Sequence, residues 1–449
     1  MALPLQRIQV GEPADKSILR LLCMAIGFFA IQYGWAVQYS QMSTFLESLG
    51  SVAALTALIW CAGPITGTLA QPILAALSDR TWTRLGSRRP YLLLGAILSS
   101  LCMILMPNSM GIAKLFHVHP LLVAGLLLWC WDISINTCQG PIRWLVVDTV
   151  NKKQQPLTFA LMGFALAIGA SVCFFLGSIV PSIQFLFYFG AVAMLLAMGW
   201  TIITSPEPKK SHNVQASQEP FGVVQLVKEI ARNVMDMHPE AKKLCFVNSL
   251  TWFGAQCMFV FLPLFIAHNI FATHDPTSPV YTASRQLTST AWLWYYLVCL
   301  GFSLVISRLL RHFSMKALHT FGLLCMGCAL FGLSFSMSAT QVVIYMAIAG
   351  VGWATTMAIP FAWAARYSSE GKGGACLSVF NTYLAFTSFL ANLVSGWLVT
   401  ITKNDVSALL LAGGVALLSA LLLQGVKEIT TEVVSAETSS EMPEALPAT

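Results

Sequence analysis

LLVAGLLLWCWDISINTCQGPIRW, residues 121–144, decides how this chain folds. The run is long and apolar enough to cross a bilayer as a helix, for which about 20 residues suffice, yet it carries Asp132, Asn136, Gln139 and Arg143. On a helix turning ~100° per residue, these spacings keep the four side chains within about 60° of one another. A single polar stripe on an otherwise lipid-compatible helix predicts a membrane bundle with a polar interior.

The rest of the chain agrees. Its 449 residues are 56% hydrophobic and only 10% charged, with a mean hydropathy of +0.71, well beyond soluble composition. Apolar stretches of spanning length are expected at 18–41, 54–77, 90–107, 120–142, 157–180, 183–203, 243–267, 288–308, 317–337, 341–364, 375–400 and 406–425. The fold class is therefore an all-α polytopic membrane protein with twelve transmembrane helices. Pro107 is expected to close the third helix early. Trp292, Trp294, Tyr295 and Tyr296 read as an interfacial aromatic belt opening the eighth.

Charge sets the orientation. With the N-terminus inside, nearly all of the 25 Lys and Arg fall on cytoplasmic segments; Lys114, Arg285 and Lys403 lie outside and Arg143 within a helix. Both termini are expected in the cytoplasm of a cell bounded by this plasma or inner membrane. The net charge of +6 then faces anionic lipid, and no basic patch interleaved with aromatics points to nucleic acid. The first 17 residues lead into a full-length span without a small-residue cleavage site, so no removed signal peptide is expected.

The 12 cysteines lie in or at the start of spans, which argues against a disulfide framework. Cys325 and Cys328 form a CxxC without a neighbouring ligand, and packing is their expected role. No Walker loop, HExxH or nucleophile elbow occurs, so an enzyme, a metal centre and a cofactor are not expected. His117, His119, His268 and His274 read as scattered over external loops.

The chain divides into an N-terminal six-helix half (1–203), a cytoplasmic linker (204–242), a C-terminal six-helix half (243–425) and a disordered cytoplasmic tail (426–449). Within the linker, 221–237 has apolar residues at helical spacing and reads as a surface amphipathic helix or, equally, as a partly ordered connector. The Arg-bearing loop LSDRTWTRLGSRRPYLLLGA has a counterpart in VISRLLRHFSMKALHTFGLL, and PIRWLVVD at 141–148 matches PFAWAARY at 360–367. Two six-helix units in a parallel repeat are the organisation of the major facilitator fold, with substrate bound between halves near the midplane.

An ionised Asp132 near the bilayer centre costs about 2.5–3.5 kcal/mol, so it must face a cavity, bond a neighbouring helix or hold a proton. Eleven residues at ~1.5 Å rise separate it from Arg143, too far for a contact along the helix. Arg143 suits substrate anchorage, a cytoplasmic gate or snorkelling to the interface. Asp79, followed by Arg80, Arg84, Arg88 and Arg89, suits either a topogenic loop or a latch, in which Asp79 meets the N-terminal end of the eleventh helix and an Arg pairs with Asp148. Gln38 and Gln71 are further polar positions in spans, and hydrogen-bonding groups beside flat aromatic faces are what a sugar site combines.

IQYGWAVQYSQMSTFLESLG (31–50), IWCAGPITGTLAQPILAALSDRTWTRLGSRRPYLLLGA (59–96), WDISINTCQGPIRWLVVD (131–148) and AIPFAWAARYSSEGKGGACLSVFN (358–381) resemble plant sucrose transporters and their animal and bacterial relatives, in the glycoside-pentoside-hexuronide cation symporter branch of the major facilitator superfamily. The resemblance implies proton-coupled import of a disaccharide or similar glycoside such as sucrose or maltose. It implies Asp132 as the proton site within the sugar site. It places Arg143, Gln38, Gln71, Asn136 and Gln139 at substrate-binding positions, and Asp79, Arg80, Arg88, Arg89 and Asp148 at a cytoplasmic gate. Ala75 stands where the family has Gly, and Ser87 where it has Arg. The partners expected are a small-molecule sugar and membrane lipid, with the proton as coupling ion and the chain a monomer. Proton-coupled efflux of a non-sugar metabolite and a non-transporting membrane sensor are the other readings of the same features.

Overall fold

The computed structural model describes residues 15–207, 232, 234–235, 237–367 and 373–428, without the side chains at 69, 71, 72, 75, 76, 79, 365 and 373–378, those of Gln71 and Asp79 among them. Among the described residues the chain is helical, with no strand beyond an isolated bridge between Thr83 and Gly86. Eleven of the described helices are long and apolar enough to span a membrane: α1 (Ile18–Ser48), α3 (Arg89–Phe116), α4 (Pro120–Thr149), α5 (Gln155–Ile179), α6 (Ile183–Thr204), α7 (Pro239–Ile270), α8 (Pro279–Leu309), α9 (Met315–Leu333), α10 (Ala339–Ala365), α11 (Gly373–Thr402) and α12 (Val406–Gly425). The twelfth, α2, comprises Ala53–Ile59 and Ala62–Arg80 joined through a turn at Trp60 and Cys61.

Local sequence starts these helices in a recurrent way. The side chains of Ser17, Ser182, Ser278, Ser314 and Ser338 accept from first-turn backbone N–H groups of α1, α6, α8, α9 and α10, and Pro occupies the first positions of α4, α5, α7 and α8. A serine oxygen satisfies a donor that has no partner inside the helix, and proline at this point gives up nothing.

Helix pairing repeats with a shift of six. Contacts α1·α5, α1·α6, α2·α4, α3·α4 and α3·α6 are matched by α7·α11, α7·α12, α8·α10, α9·α10 and α9·α12, while α5·α8 and α11·α2 join the two sets. Pro141 and Pro360 lie inside the corresponding helices α4 and α10, so the sequence repeat is also a spatial one. Outward faces carry apolar side chains such as Leu196, Ile203 and Leu421, each more than two-thirds exposed, as a lipid-facing surface requires.

Two boundaries depart from the sequence expectation. Pro107 does not close α3, because a short 3₁₀ turn at Met106–Asn108 absorbs it and the helix resumes to Phe116. Nor do the aromatics at 292–296 open α8 as a belt: the helix starts at Pro279, and Trp292, Tyr295 and Tyr296 are buried against other helices. Amphipathic rings fit a membrane interface and a protein interior equally well, so composition alone misplaces them. Most of 221–237 lies outside the described residues; Arg232, Val234 and Met235 are helical.

The expected linker and tail each begin with an anchored carboxylate. Glu207 accepts from the backbone N–H groups of Ser87, Arg88 and Arg89 at 2.8–3.0 Å and from the Ser87 hydroxyl at 2.8 Å, which places an anion on the positive N-terminus of α3. Glu428 does the same at α9, accepting from the N–H groups of Met315 and Lys316 at 2.9 and 3.2 Å. Gly86 is indispensable here: its φ of +112° suits glycine, and a Cβ would fall 2.6 Å from the Glu207 carboxyl.

Burial pushes the Glu207 carboxyl up, but the N–H groups of Arg89, Ser87 and Arg88 outweigh it and hold the pKa below the ordinary 4.5. A depressed carboxylate stabilises the fold fully above its unfolded value and loses that contribution as pH falls through the folded one. Melting temperature should therefore drop below pH ~4.5 in the wild type; Glu207→Gln should melt lower at pH 7, by roughly 1.5–3 kcal/mol, and lose part of the acid sensitivity. At Gly169, a Cβ would lie 2.1 Å from the Phe29 carbonyl oxygen of α1. Gly169→Val is expected to cost about 1–3 kcal/mol as an overpacked contact, read as a lowered melting temperature in detergent.

Candidate functional site

The polar stripe of α4 meets a break in the regularity of α1. Gln38–Met42 forms a π-helical turn, a local widening common at functional positions. From this turn Gln38 Nε2 donates to Asp132 Oδ1 at 2.8 Å, and both residues are buried. Asp132 makes no ion pair with any described residue. One helical turn on, Asn136 Nδ2 donates to the Asp132 carbonyl at 2.9 Å and to Thr66 Oγ1 of α2 at 3.4 Å. Gln139 accepts from Trp35 Nε1 at 3.3 Å, and Arg143, exposed at the far end of the stripe, lies 5.6 Å over the Phe28 ring. The stripe expected from α4 thus contacts α1 and α2 at successive turns, with Gln38 brought to the carboxylate as its direct partner.

Gln38 has a second feature. Its Oε1 is buried and has no hydrogen-bond partner among the described residues, so one half of the amide is satisfied by Asp132 and the other is not. An unpaired buried acceptor is costly and marks a place where a further donor fits.

Beside this pair stands an aromatic cluster that crosses between the halves. Tyr39 stacks with Trp35 at 6.3 Å, Trp60 at 6.2 Å and Phe259 of α7 at 4.5 Å, and it also meets Trp292 of α8. Trp292 continues to Phe174, and Trp353 joins Phe259 and Trp252. The buried Nε1 atoms of Trp252 and Trp292 and both amide atoms of Asn248 have no hydrogen-bond partner among the described residues. Flat apolar faces from both halves therefore meet around Tyr39, the residue next to Gln38, and the unsatisfied Trp292 Nε1 lies among them.

The gate residues expected at the other end of α4 are partly assembled. Arg88 Nε binds Asp148 Oδ2 at 2.9 Å, Arg88 also donates to Ser78 Oγ, and its guanidinium lies 5.4 Å over Trp144. Arg89 donates to the Ile202 carbonyl at 3.2 Å, and Arg80 is exposed at the end of α2. The Arg88–Asp148 pair joins α3 to α4 and so braces one set of six helices. The latch expected between Asp79 and the eleventh helix rests on a side chain that, with that of Gln71, lies outside the described residues.

The opposite end of the bundle holds a polar cluster that the sequence did not signal. His268, in a second π-helical turn at Ile266–Ile270, bonds Glu47 Oε1 through Nε2 at 2.7 Å and Asp405 Oδ2 through Nδ1 at 2.5 Å. Tyr281 donates to the other oxygen of Glu47, and the His274 ring lies 4.2 Å from the His268 ring, tilted by 30°. His268 and His274 are therefore not scattered: the chain turn between α7 and α8 folds them together against α1. These bonds, with Gln41–Ser289 and Gln32–Tyr296, link the two sets of six helices from the middle of the bundle to this end.

Comparison with known proteins places the chain. The Major Facilitator Superfamily profile matches residues 24–392. The general alpha-glucoside permease of Schizosaccharomyces pombe is 26% identical over 260 residues, 54% of this chain and 46% of that protein. A sucrose transport protein of Oryza sativa subsp. japonica is 36% identical over 152 residues, covering 31% and 28%. The matches thus span less than half the length of these relatives. Among solved structures, a mutant form of the nucleoside transporter NupG superposes with a TM-score of 0.70 at 14% identity, covering 91% of this chain and 99% of that one. The inward open xylose transporter XylE from E. coli gives 0.66 at 13%, covering 93% and 98%. An all-helical membrane bundle, a repeat of six and a profile match over most of its length make this chain a member of the Major Facilitator Superfamily.

Proposed function

We propose that this protein is a proton-coupled sugar importer working by alternating access, with a disaccharide or similar glycoside as substrate and both termini in the cytoplasm. The observation that carries the reading is the Asp132–Gln38 pair: a buried carboxylate, without an ion pair among the described residues, beside aromatic faces contributed by both halves. The names of the relatives, a sucrose transport protein and an alpha-glucoside permease, support the substrate class.

The chemistry follows from the amide. While Asp132 is ionised, Gln38 offers it an N–H; once Asp132 holds a proton, the same amide, turned over, offers the unpaired Oε1 to the O–H. Gln38 thereby serves both protonation states, and a sugar hydroxyl arriving next to it fills the partnership that remains. Asn136 and Gln139 continue the polar face, Trp35 and Tyr39 present rings to the sugar CH surfaces, and Arg143 anchors a hydroxyl toward the cytoplasmic side. The Arg88–Asp148 brace keeps α3 and α4 moving as one body when the halves rock. The protein acts as a monomer in lipid, since each half presents its polar face to the other.

In proteoliposomes, Asp132→Asn should retain sugar exchange but lose accumulation driven by an inward proton gradient, by at least about tenfold, equivalent to ~1.4 kcal/mol. Accumulation at the wild-type level would overturn the proton assignment. Trp35→Ala should raise the half-saturating sugar concentration about 2- to 10-fold, the range expected from one aromatic contact, with the proton dependence retained. Competition by a panel of disaccharides against a labelled glycoside identifies the sugar.

A further inference from the structure

We propose that Glu47, His268 and His274 form a binding site for a divalent transition-metal ion of the zinc class, which ties the two halves together at their external end. One ligand atom from each lies within 4.8 Å of the others, and two imidazoles with a carboxylate suit zinc rather than calcium or magnesium.

The support around the ligands is what distinguishes this cluster from a chance meeting of polar groups. Metal-bound histidines donate their second ring N–H to a carboxylate, and metal-bound carboxylates are themselves hydrogen-bonded. Both supports are in place: His268 Nδ1 faces Asp405 Oδ2 at 2.5 Å, and Tyr281 holds Glu47 by Oε2. That leaves Glu47 Oε1 and His268 Nε2 facing each other at 2.7 Å. The metal takes the place of the proton between them, and that proton leaves to solvent. Tetrahedral zinc with bonds of 2.0–2.1 Å needs its ligand atoms about 3.3 Å apart. His274 supplies the remaining adjustment, because it is exposed and sits on the short connection between α7 and α8.

Glu47 belongs to one half and both histidines to the other, so a bound ion holds this end shut. The locking role rests on the carrier reading above; the binding itself does not. Zinc titrated calorimetrically into the purified full chain should bind once per chain, and His274→Ala should weaken it by at least about tenfold, the low end of what loss of even a supporting partner costs. Zinc added outside proteoliposomes should inhibit uptake by the wild type, and His274→Ala should need about tenfold more zinc for the same inhibition. Absence of saturable binding to the wild type, or equal binding by His274→Ala, overturns the site. Binding without inhibition of a measurable flux overturns the lock. A failed carrier reading shows itself separately, as absence of wild-type flux before any zinc is added.

Discussion

Hydrocarbon offers no hydrogen bonds, and every polar group within a spanning helix must be satisfied by protein or lie in a protein-lined cavity. The architecture follows from this constraint. Asp132, Asn136 and Gln38 are driven inward, and the helices that carry them are tied to their neighbours by the Gln38–Asp132 and Asn136–Thr66 bonds. The same pressure gathers the polar ends of the aromatics at the interface of the halves, where several remain without partners among the described residues. An unpaired buried acceptor such as Gln38 Oε1, next to the Asp132 carboxylate, is already disposed to receive a polar ligand there.

The repeat of six gives the interface of the halves its position. Each set of helices packs by the same list of pairs, and the two sets meet through α5·α8 and α11·α2, so the interface is built from equivalent surfaces that differ in chemistry. One side supplies the carboxylate and amides; the other supplies mainly rings, with Trp252, Phe259, Trp292 and Trp353. Even the matched segments diverge by role: Asp148 receives an ion pair from Arg88, whereas Tyr367, at the corresponding place in PFAWAARY, accepts from Trp363 at 3.1 Å.

Much of this was legible in the sequence because periodicity and cost act locally. The stripe from Asp132 to Arg143 needed only helical spacing, and the Arg88–Asp148 pair needed only opposite charges near the same membrane face. Features that depend on chain reversal were not legible. Nothing in the spacing of Glu47, His268, His274 and Asp405 announces that they meet. The π-helical turns that aim Gln38 and His268 leave no pattern in composition, and the aromatics at 292–296 satisfied two environments equally. Glu207 was read as the start of a linker because hydropathy ends with α6, although a carboxylate just past a helix is well placed to reach an exposed N-terminus nearby.

The paired carboxylates at Glu207 and Glu428 bear on how such a chain is made. Synthesis delivers helices in order, and completed units fold before later ones exist. The N-terminus of α3 waits 120 residues, counted to Ser87, for its anion, and that of α9 waits 113, counted to Met315. Each anion emerges directly behind the sixth helix of its own set. The first half can therefore be sealed at Glu207 while the second is still on the ribosome, so that the N-terminus of α3 has its anion before the seventh helix is made.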